Sequence, residues 1–113
     1  MRVSLLGVGE DWFRELLAER TDDVHDAPAA DSDLVFFRVQ RADELGRLSD
    51  LRHLIRENGA IWVLRAKGAA RTVTENDVIE GAARAGLVDN KIASFSDSLG
   101  AMRLVIRIRD RRP

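Results

Sequence analysis

The sequence predicts an α/β fold: a three-layer sheet, mostly parallel, that closes on an antiparallel C-terminal hairpin. Three observations predict it. First, residues 33–39 (Asp33-Leu-Val-Phe-Phe-Arg-Val39) and 60–64 (Ala60-Ile-Trp-Val-Leu64) are apolar on both faces, as strands inside a parallel sheet are. Second, strand-like and helix-like stretches alternate along the chain, the pattern of a sheet with crossover helices on its faces. Third, only residues 96–100 separate the last two strand-like stretches, too few for a crossover helix, so these pair antiparallel.

The elements follow in order. Residues 3–6 are a short apolar strand broken by Gly7 and Gly9. A helix is expected over 11–20, with Phe13, Leu16 and Leu17 at the i, i+3, i+4 spacing of one buried face and Trp12 at its border. Residues 21–32 are polar; 23–25 form either a very short edge strand or part of a loop. The central strand at 33–39 leads to a helix expected over 40–57, with Leu45, Leu48, Leu51, Leu54 and Ile55 inward. Asn58-Gly59 reads as its stop, with Gly59 able to take a positive φ. After the strand at 60–64 comes a flexible basic loop over 65–73. Thr74 and Asp77 have the spacing of a capping box for a helix to Ala85, with Val78, Ile79, Ala82 and Ala83 inward and Gly86 as C-cap. Gly81 inside that helix marks close packing against the sheet. Strands at 91–95 and 101–108 complete the hairpin, and 110–113 is a tail.

Composition excludes several chemistries. The chain has 113 residues, a usual size for one domain, and is 45% hydrophobic, enough for an ordinary core. One domain over 1–113 is expected. With no cysteine there is no disulfide, thiolate nucleophile or cysteine metal site. His25 and His53 are the only histidines and lack metal-ligand spacing. A net charge of −1 supplies no global field toward nucleic acid or anionic lipid, and no tyrosine is present to build a stacking platform. No apolar run approaches the roughly 20 residues of a membrane span, and no secretory leader is legible. A cytoplasmic protein without membrane or nucleic-acid partners is expected.

With these elements in place, the chain resembles the sheet of class I S-adenosylmethionine-dependent methyltransferases, a Rossmann-like fold. Leu5-Leu-Gly-Val-Gly-Glu10 resembles that family's glycine-rich turn after the first strand, and Asp33-Leu-Val-Phe-Phe37 its acid-led central strand. Residues 54–63 resemble the helix end, turn and strand that follow. Residues 74–87, with Asp77, Val78 and Ala85-Gly86-Leu87, resemble the last helix before the closing hairpin. The resemblance implies the sheet order 23–25, 3–6, 34–39, 61–64, 104–108, 91–95. A closer likeness is to a small bacterial family of uncharacterised methyltransferase-like proteins of this compact size. It rests on Val39-Gln-Arg-Ala-Asp-Glu-Leu45, on Trp62-Val63 followed by Lys67-Gly68, and on Gly86-Leu-Val-Asp-Asn-Lys91. It implies the fold and no particular chemistry. Against working methyltransferases, bulky Trp12 stands near the glycine turn, the second strand is barely formed, and the N-terminal cover helices are missing.

Open α/β sheets bind ligands at the carboxyl ends of their strands. Four segments meet there: 7–10, 38–41, 65–71 and 96–99. The rim therefore carries Arg38, Arg41, Arg65, Lys67 and Arg71 with Asp97. Gly7 and Gly9 either present backbone N–H groups to a ligand or make a tight turn. Glu10 places a carboxylate where a phosphate would rest, which suits a ribose hydroxyl or an amine. The resemblance offers Asp23 or Asp26 as the acid that holds ribose. Asp33 enters its strand from the opposite end and is left out of the site. Arg103, Arg107 and Arg109 read as a basic stripe on the last strand. No catalytic or metal-binding set is legible. The expected function is a non-catalytic methyltransferase-like domain without cofactor, acting on a small anionic or nucleotide-like ligand or a protein partner. The alternative is an S-adenosylmethionine-dependent methyltransferase completed by a partner or by a second copy in a homodimer.

Overall fold

Strand β1 (Val3–Leu6) is buried at all four positions and lies inside a six-stranded sheet of order β2-β1-β3-β4-β6-β5. The computed structural model describes residues 1–112, so Pro113 of the expected tail lies outside them. The other strands are β2 (Val24–His25), β3 (Ser32–Arg38), β4 (Ile55–Ala66), β5 (Leu87–Ser94) and β6 (Leu99–Ile106). Strands β1 to β4 pair parallel; β6 is antiparallel to both β4 and β5. The order and the reversed hairpin are those expected, and the helices flank the sheet as a Rossmann-like methyltransferase fold requires.

Strand alternation assigns each side chain to a face. One face carries Leu6, Val35, Phe37, Ile61, Val63, Met102 and Leu104. It is sealed by a 3-10 segment (Ala42–Arg47), helix α2 (Leu48–Arg52) and helix α3 (Glu75–Arg84), which contribute Leu45, Leu48, Leu51, Val78 and Ala82. Fully burying a side chain of this kind is worth about 1.5–3 kcal/mol, so this larger cluster dominates the stability. The other face carries Val3, Leu5, Phe36, Leu64 and Ala101 and is covered by one helix, α1 (Asp11–Ala18), through Phe13 and Leu17. Trp62 and Leu34 on that face are only partly buried.

Local signals set several boundaries. The Thr74 Oγ1 accepts from Asp77 N at 3.1 Å and the Asp77 carboxylate accepts from Thr74 N at 2.9 Å, so α3 starts on a reciprocal capping box. Gly86 follows α3 with φ 76°, the left-handed conformation that ends helices.

Other expectations are corrected. The helix expected over 40–57 ends at Arg52, and β4 already begins at Ile55. Leu45, Leu48, Leu51 and Leu54 recur every three residues, a period that a 3-10 segment satisfies as well as an α-helix. Asn58 and Gly59 consequently lie inside β4, and Gly59 has no positive φ. The basic loop is shorter than expected, because β4 runs to Ala66 and residues 68–70 form a 3-10 turn. Gly81 packs on Leu45, whose Cβ would stand 3.0 Å from an added Cβ, rather than on the sheet. Leu16, Ile79 and Ile108 are 52%, 40% and 80% exposed, and Ala83 is exposed, because each lies at the edge of its expected apolar stripe or beyond its element. Strand β6 stops at Ile106, so Arg107 and Arg109 fall in a turn and do not continue the face of Arg103.

Candidate functional site

The sheet order reverses at β1: β2 lies on one side of it and β3 on the other. The turns leaving β1 and β3 therefore diverge and open a crevice at their carboxyl ends. A cleft of about 190 Å³ lies there, lined by Gly7, Arg38, Gln40 and Glu44.

Each wall has a local cause. Gly7 leaves β1 with φ 77°, a conformation that glycine adopts without steric cost. Gly9 has an ordinary φ and open space around it. Glu10 precedes α1, and its backbone carbonyl accepts from Phe13 N and Arg14 N at 3.1 and 3.2 Å. Its carboxylate accepts from Gly9 N at 3.1 Å and faces Arg38 Nη1 at 3.8 Å, an ion pair between the turns after β1 and β3. On the far wall the Glu44 carboxylate accepts from both Gln40 N and Arg41 N at 2.8 Å, and Thr72 donates to the Gln40 carbonyl. Gln40, Glu44 and Thr72 were not singled out in the sequence. An acid three and four residues beyond two backbone donors was the available signal.

The two candidate ribose acids part company. Asp23 precedes β2, level with Arg2 at the amino end of the sheet; its carbonyl accepts from Val3 N. Its carboxylate contacts His25 Nε2 at 2.7 Å and Arg2 Nε at 3.2 Å. The hydrogen bond to His25, helped by Arg2 and opposed by desolvation, holds its pKa below the usual carboxylate value. Asp26 follows β2 at the carboxyl end and meets Arg14 Nη2, which also donates to the Val8 carbonyl at 3.3 Å. That hydrogen bond to Asp26 raises the pKa of Arg14.

The remaining rim residues have different surroundings. Arg65 is only 9% exposed and turns under the following loop, donating to the Val73 carbonyl at 3.2 Å and pairing with Glu75 at 3.3 Å. Lys67 Nζ is tied to Ser94 Oγ at 2.6 Å and to the Ser96 carbonyl at 2.7 Å, locking the hairpin tip to β4. Arg41 pairs with Asp43 at 3.2 Å, well exposed. Arg71 and Asp97 are exposed and form no ion pair among the described residues. Of the expected site residues the cleft thus gathers Gly7 and Arg38, with Glu10 reaching Arg38 from beside it; Gly9 and Arg41 do not line it, Arg65 turns toward the start of α3, and Lys67 faces the hairpin.

A larger cleft of about 650 Å³ lies at the opposite end of the strands, lined by Arg52, His53, Arg56, Glu57 and others. Two of its arginines already have partners, Arg56 with Asp33 at 3.5 Å and Arg112 with Glu57 at 3.9 Å. It is also away from the strand ends where this fold binds ligands. Among the described residues no group of three histidine, aspartate or glutamate side chains is placed to hold a metal, and no helix is long and apolar enough to cross a membrane.

Comparison with known proteins agrees with this architecture. No curated protein matches the chain by sequence. Solved structures do match. NcsB1, an O-methyltransferase from neocarzinostatin biosynthesis in complex with S-adenosyl-L-homocysteine, superposes with a TM-score of 0.65 at 13% identity, over 95% of this chain and 42% of its own. A putative methyltransferase from Thermoplasma acidophilum gives 0.61 at 9% identity, over 96% of this chain and 69% of its own. LepI in complex with SAM gives 0.58 at 14% identity, over 94% of this chain and 36% of its own. The chain therefore spans about two-fifths or less of NcsB1 and LepI, and at these identities the likeness is one of fold. Residues 7–108, from the glycine turn to just past the last strand, match the family model described as "Protein of unknown function (DUF3052)", and the chain belongs to that family.

Proposed function

We propose that the chain is the cofactor-binding part of an S-adenosylmethionine-dependent methyltransferase whose pocket is completed by a partner chain or a second copy. The observation that carries this reading is the left-handed Gly7 turn at the head of the cleft between β1 and β3. It brings backbone close to any ligand in the crevice, where a side chain would intrude. The surrounding groups suit the same ligand. The Glu10 carboxylate beside the glycine turn suits an ammonium group. Asp26, at the carboxyl end of β2, suits ribose hydroxyls once Arg14 yields.

The fit has one requirement. At about 190 Å³ the cleft is smaller than the roughly 300–1,000 Å³ of ligand pockets, so the Glu10–Arg38 contact has to open. That pair is partly exposed and 3.8 Å long, and exposed pairs contribute only about 0–1 kcal/mol. Ordinary binding energy can open it. When bound, S-adenosylmethionine supplies a methyl group on a sulfonium, which a substrate nucleophile takes while the electron pair stays on sulfur. Such a transfer needs mainly alignment and desolvation, which these walls supply in part and a second subunit would complete.

Calorimetry with S-adenosylmethionine and S-adenosylhomocysteine tests the reading. One-to-one binding is expected, weakened about five-fold by Asp26→Asn, the loss of one hydrogen bond, and abolished by Gly7→Val. Absence of binding to both compounds by folded protein would sink it. A second reading, a non-catalytic domain for a small anionic or nucleotide-like ligand, is favoured by Arg38 in the cleft wall, whose long contact with Glu10 an anion would have to displace. Binding of nucleotides without binding of either adenosyl compound would select it.

A further inference from the structure

The face of the sheet opposite α2 and α3 is covered on one half only. Helix α1 packs over β1 and β3 through Phe13 and Leu17. No helix covers β4, β6 and β5 on that side; only Phe95, folded back against Phe13 and Trp12, shields the end where Leu64 and Ala101 are buried. The uncovered half presents a groove of about 230 Å³ lined by Phe36, Trp62, Ala93, Phe95 and Ala101. Its outer border is basic: Arg103 stands opposite Trp62, and Lys91 opposite Arg103, so all three share this face. Neither Lys91 nor Arg103 forms an ion pair among the described residues; the Arg103 guanidinium reaches only Asn90 at 3.4 Å.

The solvent side of α1 is the complement of this groove. Leu16 is 52% exposed, and one turn before it Trp12 is 44% exposed, one part of its ring packed on the chain's own Phe95 with centroids 5.2 Å apart. Glu15 and Glu19 flank them, exposed and without ion pairs among the described residues. The single cation inside α1, Arg14, is committed to Asp26, and Arg20 lies beyond the helix end. An apolar ridge bordered by carboxylates thus stands beside an apolar groove bordered by cations, on the same face.

We propose that two copies of the chain pair through this face, α1 of each seating on the β4-β6-β5 half of the other. A twofold axis along the strands, near β3 and β4, performs this exchange: it carries the covered half of one copy over the uncovered half of its partner. Such an interface is isologous, with every helix-to-sheet contact made twice. Leu16 enters the partner's groove beside Trp62, with the exposed edge of Trp12 at its border, and Glu15 and Glu19 face the partner's Lys91 and Arg103. A stable pair needs about 800 Å² from each copy, a small part of the 6662 Å² that the chain exposes. The dimer does not depend on what the cleft binds, so it stands or falls apart from the methyltransferase reading.

Charge reversal tests it without touching the core. Sedimentation velocity from about 1 to 200 µM should show wild-type protein passing from monomer to dimer by mass action. Emission from the two tryptophans, both at the interface, should shift to the blue over the same range. Glu15→Lys with Glu19→Lys gives a chain whose helix and groove border are both basic. Lys91→Glu with Arg103→Glu gives one in which both are acidic. Each variant alone should stay monomeric, with circular dichroism confirming that it is folded. Mixed one to one, they should restore the dimer, because both contacts are again complementary. A monomeric wild type, dimerisation of either variant alone, or failure of the mixture to associate would each overturn the proposal.

Discussion

Replacing Gly59 by alanine should destabilise the protein, although the position lies in a strand and has no unusual φ. A Cβ there would stand 2.8 Å from the Asp33 carbonyl oxygen, 3.1 Å from that of Arg56 and 3.2 Å from that of Ser32. The crowding comes from a bulge: Ser32 pairs with Ile55, yet Leu34 pairs with Ala60, so two steps along β3 span five along β4. All three oxygens belong to backbone, and the ladder between the interior strands β3 and β4 closes on either side of the bulge, at Ser32–Ile55 and at Leu34–Ala60. Relief of the contact needs a shift of roughly half an ångström. Overpacking of this kind costs about 1–3 kcal/mol, and the stiffness of backbone places Gly59 toward the upper end. The reduced freedom of the unfolded chain returns about 0.4–1 kcal/mol. A net loss of about 2 kcal/mol remains, a sizeable share of the roughly 5–15 kcal/mol typical of a domain. With a urea m-value of about 2 kcal/mol/M, the unfolding midpoint should fall by about 1 M. Gly46→Ala is the control: nothing stands within 4 Å of its Cβ position, so its midpoint should hold or rise. A Gly59→Ala midpoint at or above wild type would refute the reasoning.

Two further outcomes are expected. Arg65→Ala leaves the buried Val73 carbonyl without its donor and removes the pair with Glu75, and should cost about 1–3 kcal/mol in urea unfolding; amide exchange at residues 67–73 should speed up, and unchanged exchange there would contradict a tethering role. Asp23, with its pKa depressed first by His25 and then by Arg2, contributes stability that is complete above the unfolded carboxylate value of about 3.9 and is lost as pH falls through the lower folded value. Urea midpoints between about pH 5 and pH 2 should therefore converge for wild type and Asp23→Asn as pH falls, and a constant gap between them would count against the assignment.

Much of the architecture could be read in advance because its causes are local. The Thr74-x-x-Asp77 spacing and Gly86 bracket α3, and both act within a turn of their own position. The short link before β6 admits only a hairpin. Leu34 to Phe37, apolar on both faces, had to lie inside the sheet. The segment from Leu45 to Ile55 resisted, since a leucine every third residue fits two kinds of helix and Ile55 serves equally as a helix stripe or a strand start. At the cleft, Gly7 and Glu10 were legible from the glycine turn. Gln40 and Glu44 were not, because their part depends on where the chain turns after β3.

By itself, then, the sequence determined the α/β class and the reversed hairpin, which follow from periodicity, caps and connection lengths, while the strand order was what the family resemblance implied. Only the tertiary structure decided which groups meet across distant segments. It set Asp26 rather than Asp23 at the carboxyl end, because the register of β2 fixes which acid precedes the strand and which follows it. It turned Arg65 inward to serve a loop carbonyl, and it pressed Gly59 against three backbone oxygens at a bulge that no local signal announces. It also left half of one sheet face uncovered beside the exposed ridge of α1, since one short helix cannot span six strands.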